Sequence, residues 1–451
     1  MAGLGIDGLV SGLKTTELID QLIAVEANQQ TLLKSKKSNT SALVTALQSL
    51  NTKVASLATS AKTAATATSW EAVKATVSDS AIAGATVGEG ATPSTLSFRV
   101  DAVAASQSTM YTLPAYYDGD PSFTLTAADG STQTITAASS NITDVLAAFN
   151  KEGTGVKASA LNVGTAAEPQ YRLQLTGTES GAEHAFTLAA NNPLEGSSLT
   201  AQSIRAAADA KITLWPGTDA ESVVTSSTNS FENLATGVSV TAVKVSTDPI
   251  TVTISRNDAA LSSLASGLVN NLNTVLSEIT SRTTSSTSTA DDGTTIITGG
   301  LMSGNTTVRL LQQELTKAGS ASVGNSSAAQ VGIVLNKDGT FTFDQEVFTA
   351  ALTADPAKVQ QVITSLATSL ESIATTASDK DKGTLTTQVT TWQGEVDDLT
   401  DRIADWDTRL AYRRESLVKI YANLEVQLSN LNSQSDWLTS QIDQLNANNS
   451  K

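Results

Sequence analysis

The chain has no cysteine, so disulfide frameworks, thiolate metal sites and cysteine nucleophiles are excluded. Its one histidine, His184, cannot build a zinc site without thiolates, and no Ser-His-Asp arrangement accompanies it. Aromatic residues make up 4% of the chain and charged residues 16%; the balance is largely Ala, Ser, Thr and Gly, a composition common in secreted β-rich and filamentous bacterial surface proteins. Cations are scarce. Lys and Arg number 28 against 44 Asp and Glu, a net charge of −16, which argues against nucleic acid or an anionic membrane as partner. Long apolar runs are missing too. No window approaches the roughly eighteen residues of a membrane span, and residues 1–20 lack the basic start and apolar core of a cleavable signal peptide. A soluble chain is expected, with no membrane insertion; if it leaves the cell, it does so without a cleaved signal.

Catalytic and ligand-binding signatures are equally thin. Glycine-rich phosphate loops are absent. Asp118-Gly119-Asp120 is followed by Pro121 and lacks regular calcium-ligand spacing. Aligning Gly339 with the glycine of a calcium loop puts Val334 and Gln345 at the first and last ligand positions, so that pattern fails. No carboxylate pair stands out for glycosidase chemistry, and the aromatics that line such clefts are few. The expectation is a protein that is not an enzyme, with no catalytic residues, no cofactor and no metal.

What the chain does have is periodicity. Between residues 385 and 445 one seam reads Val389, Val396, Ile403, Leu410, Leu417, Leu424, Leu431, Leu438 and Leu445, each seven after the last. The interleaved seam reads Leu385, Trp392, Leu399, Trp406, Arg413, Ile420, Gln427, Gln434 and Gln441. Such a repeat predicts one helix about 90 Å long wrapped on a partner helix. The second seam turns polar after Ile420, so the last turns lack a dry core. The partner is expected within the chain: Leu43, Leu47, Leu50, Val54, Leu57 and Ala61 repeat the 4-3 spacing, and Leu18, Leu22, Val25 and Leu32 form the same kind of stripe, interrupted by Gln29 and Lys36. Residues 13–68 read as helix with an interruption near 37–40.

After about residue 70 the period becomes 2. Leu96, Phe98 and Val100 alternate with polar neighbours, as do Tyr171, Leu173 and Leu175, Val238 and Val240, and Val252 and Ile254. Hairpins are predicted around Asp129-Gly130 and Asp338-Gly339, and a short amphipathic helix carries Ile142, Val145, Leu146 and Phe149. Helical spacing returns at Leu261, Leu264, Leu268, Leu272, Val275 and Ile279. Residues 280–300 read as a loop or linker, and Asp355-Pro356 as a helix start leading into Val359, Ile363, Leu366, Leu370 and Ile373. The fold class is therefore α+β and multidomain: terminal helices form a coiled-coil or helical-bundle stalk, with β-rich head domains inserted.

Several segments carry a family resemblance. Gly5-Ile6-Asp7-Gly8-Leu9-Val10-Ser11-Gly12-Leu13, followed by Leu18-Ile19-Asp20-Gln21-Leu22-Ile23-Ala24-Val25-Glu26, is similar to the N-terminal signature of the flagellar filament cap protein (flagellar hook-associated protein 2) family. Lys14 stands where Asp or Asn is common, and the usual proline after Glu26 is missing. Ala208-Asp209-Ala210, Ser227-Thr228-Asn229 and Gly237-Val238-Ser239-Val240 resemble its second β segment, and 123–188 looks like the repeat of hook and flagellin proteins, with Phe149-Asn150 in place of Ile-Asn. Leu301-Met302-Ser303-Gly304-Asn305, Gly332-Ile333, Ala354-Asp355-Pro356, Leu424-Glu425 and Leu431-Asn432-Ser433-Gln434 follow the family's order.

The resemblance implies an extracellular protein at the tip of the bacterial flagellum that promotes folding and insertion of exported flagellin and prevents its loss. It implies as partners a homo-oligomeric ring of itself, flagellin, the hook-filament junction protein and an export chaperone. The domains expected are 1–41, an N-terminal filament-docking segment; 42–74 with 258–420, the stalk; 75–110 with 206–257, a β-rich head; 111–205, an inserted outer head; and 421–451, a C-terminal docking helix. Filament-docking residues would be Leu9, Leu13, Leu18, Leu22, Leu424, Leu431, Leu438 and Leu445, with Val389, Val396, Ile403, Leu410 and Leu417 on the coiled-coil seam. A surface adhesin or phage-tail-like fibre, binding a host ligand through the β head, is the alternative.

Overall fold

The computed structural model describes residue 12, residues 14–165 and residues 168–449, the last five as backbone only. Among these are eight α-helices: α1 (Thr15–Glu26), α2 (Asn28–Ala65), α3 (Ile142–Phe149), α4 (Asp258–Thr283), α5 (Thr306–Gly319), α6 (Gln345–Ala354), α7 (Pro356–Ser378) and α8 (Thr384–Asn449). The chain divides into two compact units, a helical one up to Trp70 and again from Ala259, and a β-rich one over Glu71–Asp258.

The helical unit is organised on α2. Leu47, Leu50, Val54, Leu57 and Ala61 are fully buried on the face that meets α7 and α8. The 4-3 spacing puts them on one stripe, and each large side chain contributes about 1.5–3 kcal/mol by leaving water. α7 answers with Val359, Ile363, Leu366 and Leu370, and α8 with Leu385 and Leu399. Helix starts follow the local chemistry. Asn305 accepts from Val308 N–H (3.1 Å), Asp344 from Glu346 and Val347 N–H (3.0 Å each), and Asp355, before Pro356, from Lys358 N–H (3.0 Å).

The hairpin Ile333–Leu335 with Phe341–Phe343 forms around Asp338-Gly339 as the sequence predicts. Gly332, at φ +81°, precedes it where a Cβ would strike the Asp344 carbonyl. Asn273 of α4 ties the hairpin down: its amide donates to Phe341 O (2.6 Å) and its carbonyl accepts from Phe341 N–H (2.7 Å). Gly319 closes α5 against the same spot, where an added Cβ would lie 2.7 Å from the Phe341 ring and 2.9 Å from Leu272. Asn273→Ala should therefore destabilise the helical unit by about 2 kcal/mol, two hydrogen bonds with one backbone pair left unsatisfied. Denaturant unfolding checks this, and a loss below about 0.5 kcal/mol would show the clamp to be idle.

Two expectations need correction. Polar residues at 36–40 do not interrupt the first long helix; the break falls at Ala27, and the backbone ladder runs through 37–40. Lys36 is held by Glu395 (2.6 Å) and the Thr40 hydroxyl by Lys36 O (2.9 Å), so the polar stretch has partners that a period count does not see. Residues 280–300 are not simply a loop. α4 continues to Thr283, and Ser286–Thr289 pairs with Thr295–Thr298 around Asp292-Gly293. Both strands are exposed, so no alternation betrayed them.

In the β unit all strand pairings are antiparallel. A five-stranded sheet has the order Val73–Val77, Ile250–Arg256, Ser94–Ala102, Ala210–Leu214, Ser222–Ser226, and a three-stranded sheet runs Ser230–Ala235, Val238–Ala242, Ala83–Val87. They share a core of Leu96, Phe98, Val100, Val240 and Val252, residues whose alternation predicts strands, together with Ile212. A second subdomain is inserted between Ser108 and Arg205. Its four-stranded sheet (Thr200–Arg205, Ser108–Thr112, Tyr171–Gly177, Val156–Asn162), its three-stranded sheet (Thr132–Thr136, Ser122–Ala127, Phe186–Ala190) and α3 enclose Tyr111, Phe123, Phe149, Leu173 and Leu175. The Phe123 and Phe149 rings pack 5.3 Å apart, tilted by 51°. The joint is narrow and polar: Ala105 and Ala208 exchange backbone bonds (2.9 and 3.0 Å), and Ala182 N–H meets Asp209 (2.7 Å).

Candidate assembly interface

α8 finds its partner inside the chain. Asn51 donates to Thr386 (3.2 Å), Lys36 pairs with Glu395 (2.6 Å), Gln30 reaches Ile403 O (3.3 Å) and Asp407 (2.5 Å), Glu26 pairs with Arg413 (2.9 Å), and Asp20 with Arg414. Numbers fall on one helix as they rise on the other, so α1 and α2 run antiparallel to α8. Lys36 holds the Glu395 carboxyl below the usual range, first through its hydrogen bond and then through its charge. Higher up, the Lys53 ammonium of α2 grips Glu278 of α4, which Arg282 also meets at 3.0 Å. The hydrogen bond from Lys53 lowers the Glu278 carboxyl despite its burial.

The phase of α1 and of the first turns of α2 differs from the sequence expectation. Thr15, Ile19, Gln30 and Thr40 are the buried positions, while Leu18, Leu22, Val25 and Leu32 are exposed, Val25 by 67%. One residue of shift rotates a helix by about 100°. The shift is set by complementary polar groups on α8, since Gln30, Glu26 and Asp20 each meet a partner there. The zip was legible only as matching charges at the two ends, Asp20 and Glu26 against Arg413 and Arg414. Leucine spacing hid it.

Along α8 the predicted seam is graded. Val389, Val396, Ile403 and Leu410 are half-buried and Leu417 is buried. Trp406 is half-buried under the Arg409 guanidinium, 4.8 Å from its ring centre. Past Arg414, opposite Asp20, α8 continues for about 35 more residues, roughly 50 Å. There Ile420, Leu424, Leu431, Trp437, Leu438 and Ile442 all lie open, Leu431 by 59% and Leu438 by 55%. Of the expected docking residues, Leu18, Leu22, Leu424, Leu431 and Leu438 are thus surface groups. Leu9 and Leu13 lie outside the described residues, as does the side chain of Leu445. Sequence reasoning passed over Ile420, Trp437 and Ile442, although Ile420 sat on its second seam. Ion pairs fix the register of the zip, and apolar stripes at both chain ends face outward, an arrangement suited to helix-on-helix assembly.

His184 closes a short 3₁₀ turn before Phe186–Ala190, 3.1 Å from Glu179 and 3.6 Å from Glu183. It borders a cleft of about 290 Å³ that Thr154, Gly155 and Phe186 also line. The Tyr117 hydroxyl is buried without a partner, and burial pushes it up to about 12.

A helical unit closed by its own two ends, open apolar stripes on those helices and a β insert together define an α+β assembly protein. The chain belongs to the flagellar hook-associated protein 2 family: the family model for that protein's C-terminus matches residues 207–433, and the one for its N-terminus matches residues 11–107. Between the two matches lies the inserted subdomain. Flagellar hook-associated protein 2 of Escherichia coli (strain K12) is 26% identical over 491 positions, covering 100% of both chains. The B-type flagellar hook-associated protein 2 of Pseudomonas aeruginosa is 32% identical over 200 residues, 42% of this chain and 41% of that one. The fold is similar to that of the flagellar cap protein FliD D1-D2-D3 domains from Escherichia coli, with a TM-score of 0.57 at 22% identity over 77% of this chain and 99% of that one.

Proposed function

We propose that this protein caps the bacterial flagellar filament, sitting at its extracellular tip, where exported flagellin folds and inserts beneath it. Family membership carries the reading, and the open stripe Leu424, Leu431 and Leu438 gives it a physical basis. Apolar side chains exposed along a helical tail of about 50 Å in the single chain are what a helical tube could receive. The β unit forms the ring over the tube, flagellin and the hook-filament junction protein are the neighbours, and an export chaperone covers the stripes before assembly. The protein works as a scaffold, not an enzyme: among the described residues, the His184 imidazole lies beside the carboxylates of Glu179 (3.1 Å) and Glu183 (3.6 Å), not beside a nucleophile. The adhesin or fibre alternative gains no support from the family.

Cells lacking the protein should release unpolymerised flagellin into the medium and build short filaments or none. Filaments of normal length in such cells would overturn the reading. Purified protein should form rings in negative-stain images, in concentration-dependent equilibrium with the single chain. A strictly monomeric species at high concentration, by light scattering, would remove self-association.

A further inference from the structure

The inserted subdomain meets the inner β subdomain without a common core. Among the described residues, no apolar side chain belongs to both buried clusters. The chain crosses between them at residues 104–107 on the way in and 206–209 on the way out. These crossings form a short two-stranded ribbon: Ala105 and Ala208 are bridged, and the Arg205 guanidinium donates to Ser106 O (2.8 Å) and the Ser106 hydroxyl (3.0 Å). A few residues that change φ and ψ suffice for a hinge, and so narrow a ribbon supplies one.

A third crossing, not part of the chain's route between the subdomains, spans the same gap. Residues 178–185 leave the strand Tyr171–Gly177 and return to the insert at Phe186–Ala190. In between they bond to the inner side. The Ser180 hydroxyl donates to Ser227 O (2.8 Å), Gly181 N–H to Ala105 O (3.4 Å) and Ala182 N–H to the Asp209 carboxyl (2.7 Å). Gly181 has φ +109°, and a Cβ on it would lie 2.6 Å from the Ser227 Cβ and 2.9 Å from the Ser227 carbonyl oxygen. Both the conformation and the close approach need glycine. The other end is anchored on the insert: Thr178 N–H donates to Gly155 O (3.0 Å), and His184 Nε2 lies 3.1 Å from Glu179, tying the two limbs of the loop together. At its exit the Gln107 side chain donates to Phe186 O (2.7 Å) and accepts from Phe186 N–H (2.9 Å). A loop that merely joined two strands of the insert would spend its bonds there. This one gives them to the neighbour.

We propose that residues 178–185 are a strap that sets the pitch of the inserted subdomain on the inner one, with Ser180, Gly181 and Asp209 as its clasp. Fastened, the two subdomains move as a single lever. Unfastened, the insert swings on the ribbon at Ala105 and Ala208. The clasp consists of hydrogen bonds and one close approach, whereas each subdomain has its own apolar core, so the strap opens before either subdomain melts.

The full chain lacks cysteine, so exposed Glu152 on the insert and exposed Asp219 on the inner subdomain can be spin-labelled as Glu152→Cys and Asp219→Cys without competing thiols. Dipolar distance measurement on this parent should give one narrow distribution. Adding Ser180→Ala and Asp209→Ala removes two bonds of the clasp and should raise the open population on the order of tenfold, broadening the distribution. Amide exchange in Tyr171–Gly177 and Ile250–Arg256 should stay as in the parent. Gly181→Val, forced off Ser227, should broaden the distribution further; if it does not fold, the variant with Ser180→Ala and Asp209→Ala decides. An unchanged distribution in either folded variant, or one already as broad in the parent, overturns the proposal. Faster exchange in either set of strands overturns it as well, because the loop would then belong to the folding framework and not to a clasp.

Discussion

Cells carrying Leu424→Ser, Leu431→Ser and Leu438→Ser should export flagellin normally and leave it as monomer in the medium, with filaments short or absent. The three side chains are exposed in the single chain, so replacing them should leave folding within about 0.5 kcal/mol of wild type. In a docked state each would be buried, and each loss would cost about 2 kcal/mol. Three such losses weaken retention by roughly four orders of magnitude, since about 1.4 kcal/mol is tenfold. The purified variant should still melt as wild type does. Normal filament length and motility would show that this stripe does not hold the cap.

A comparable loss is expected from Leu18→Ser, Leu22→Ser and Val25→Ser, and here a neighbouring position serves as control. Those three face outward, whereas Ile19, one residue on, is 5% exposed against α8. The outward triple should leave amide exchange in α1 unchanged and reduce retention on filaments. Ile19→Ser should do the reverse locally, speeding exchange over Thr15–Glu26 because the zip there rests on few apolar contacts. Exchange should already be fast beyond residue 421 of α8 in the wild-type chain. Strong protection in dilute monomer would mean that the ends are closed more firmly than their polar pairs suggest.

How much of this was legible depended on whether a residue's partner lay nearby. α8 was readable almost to the residue, because an unbroken seven-residue period needs no knowledge of what it packs on. The strands through Phe98, Leu173 and Val252 were readable because one face is buried and the other is not. Asp355-Pro356 and Asp338-Gly339 were readable because caps and tight turns are local chemistry. The phase at the start of α2 was not, since Gln30 is inward only by virtue of Asp407 and the Ile403 carbonyl, 377 and 373 positions away. The hairpin at 286–298 was hidden for the opposite reason: with both faces exposed it has no alternation to read. In the assembly interface the exposed leucines were evident, and the ion pairs that set them outward were not.

The antiparallel zip also fixes an order of events. Lys36 and Glu395 are 359 positions apart and Asp20 and Arg414 are 394 apart, whereas the β unit is complete once Arg256 has been delivered to its place beside Val73. A chain delivered N-terminus first can thus finish its β unit while α1 and α2 still lack their mate. The closing step of the helical unit must wait for Arg414, a late and entropically slow loop closure. Until then α7 alone can cover the face of α2 bearing Leu47, Leu50 and Val54, and a chain cut short anywhere before α8 leaves that face half-closed.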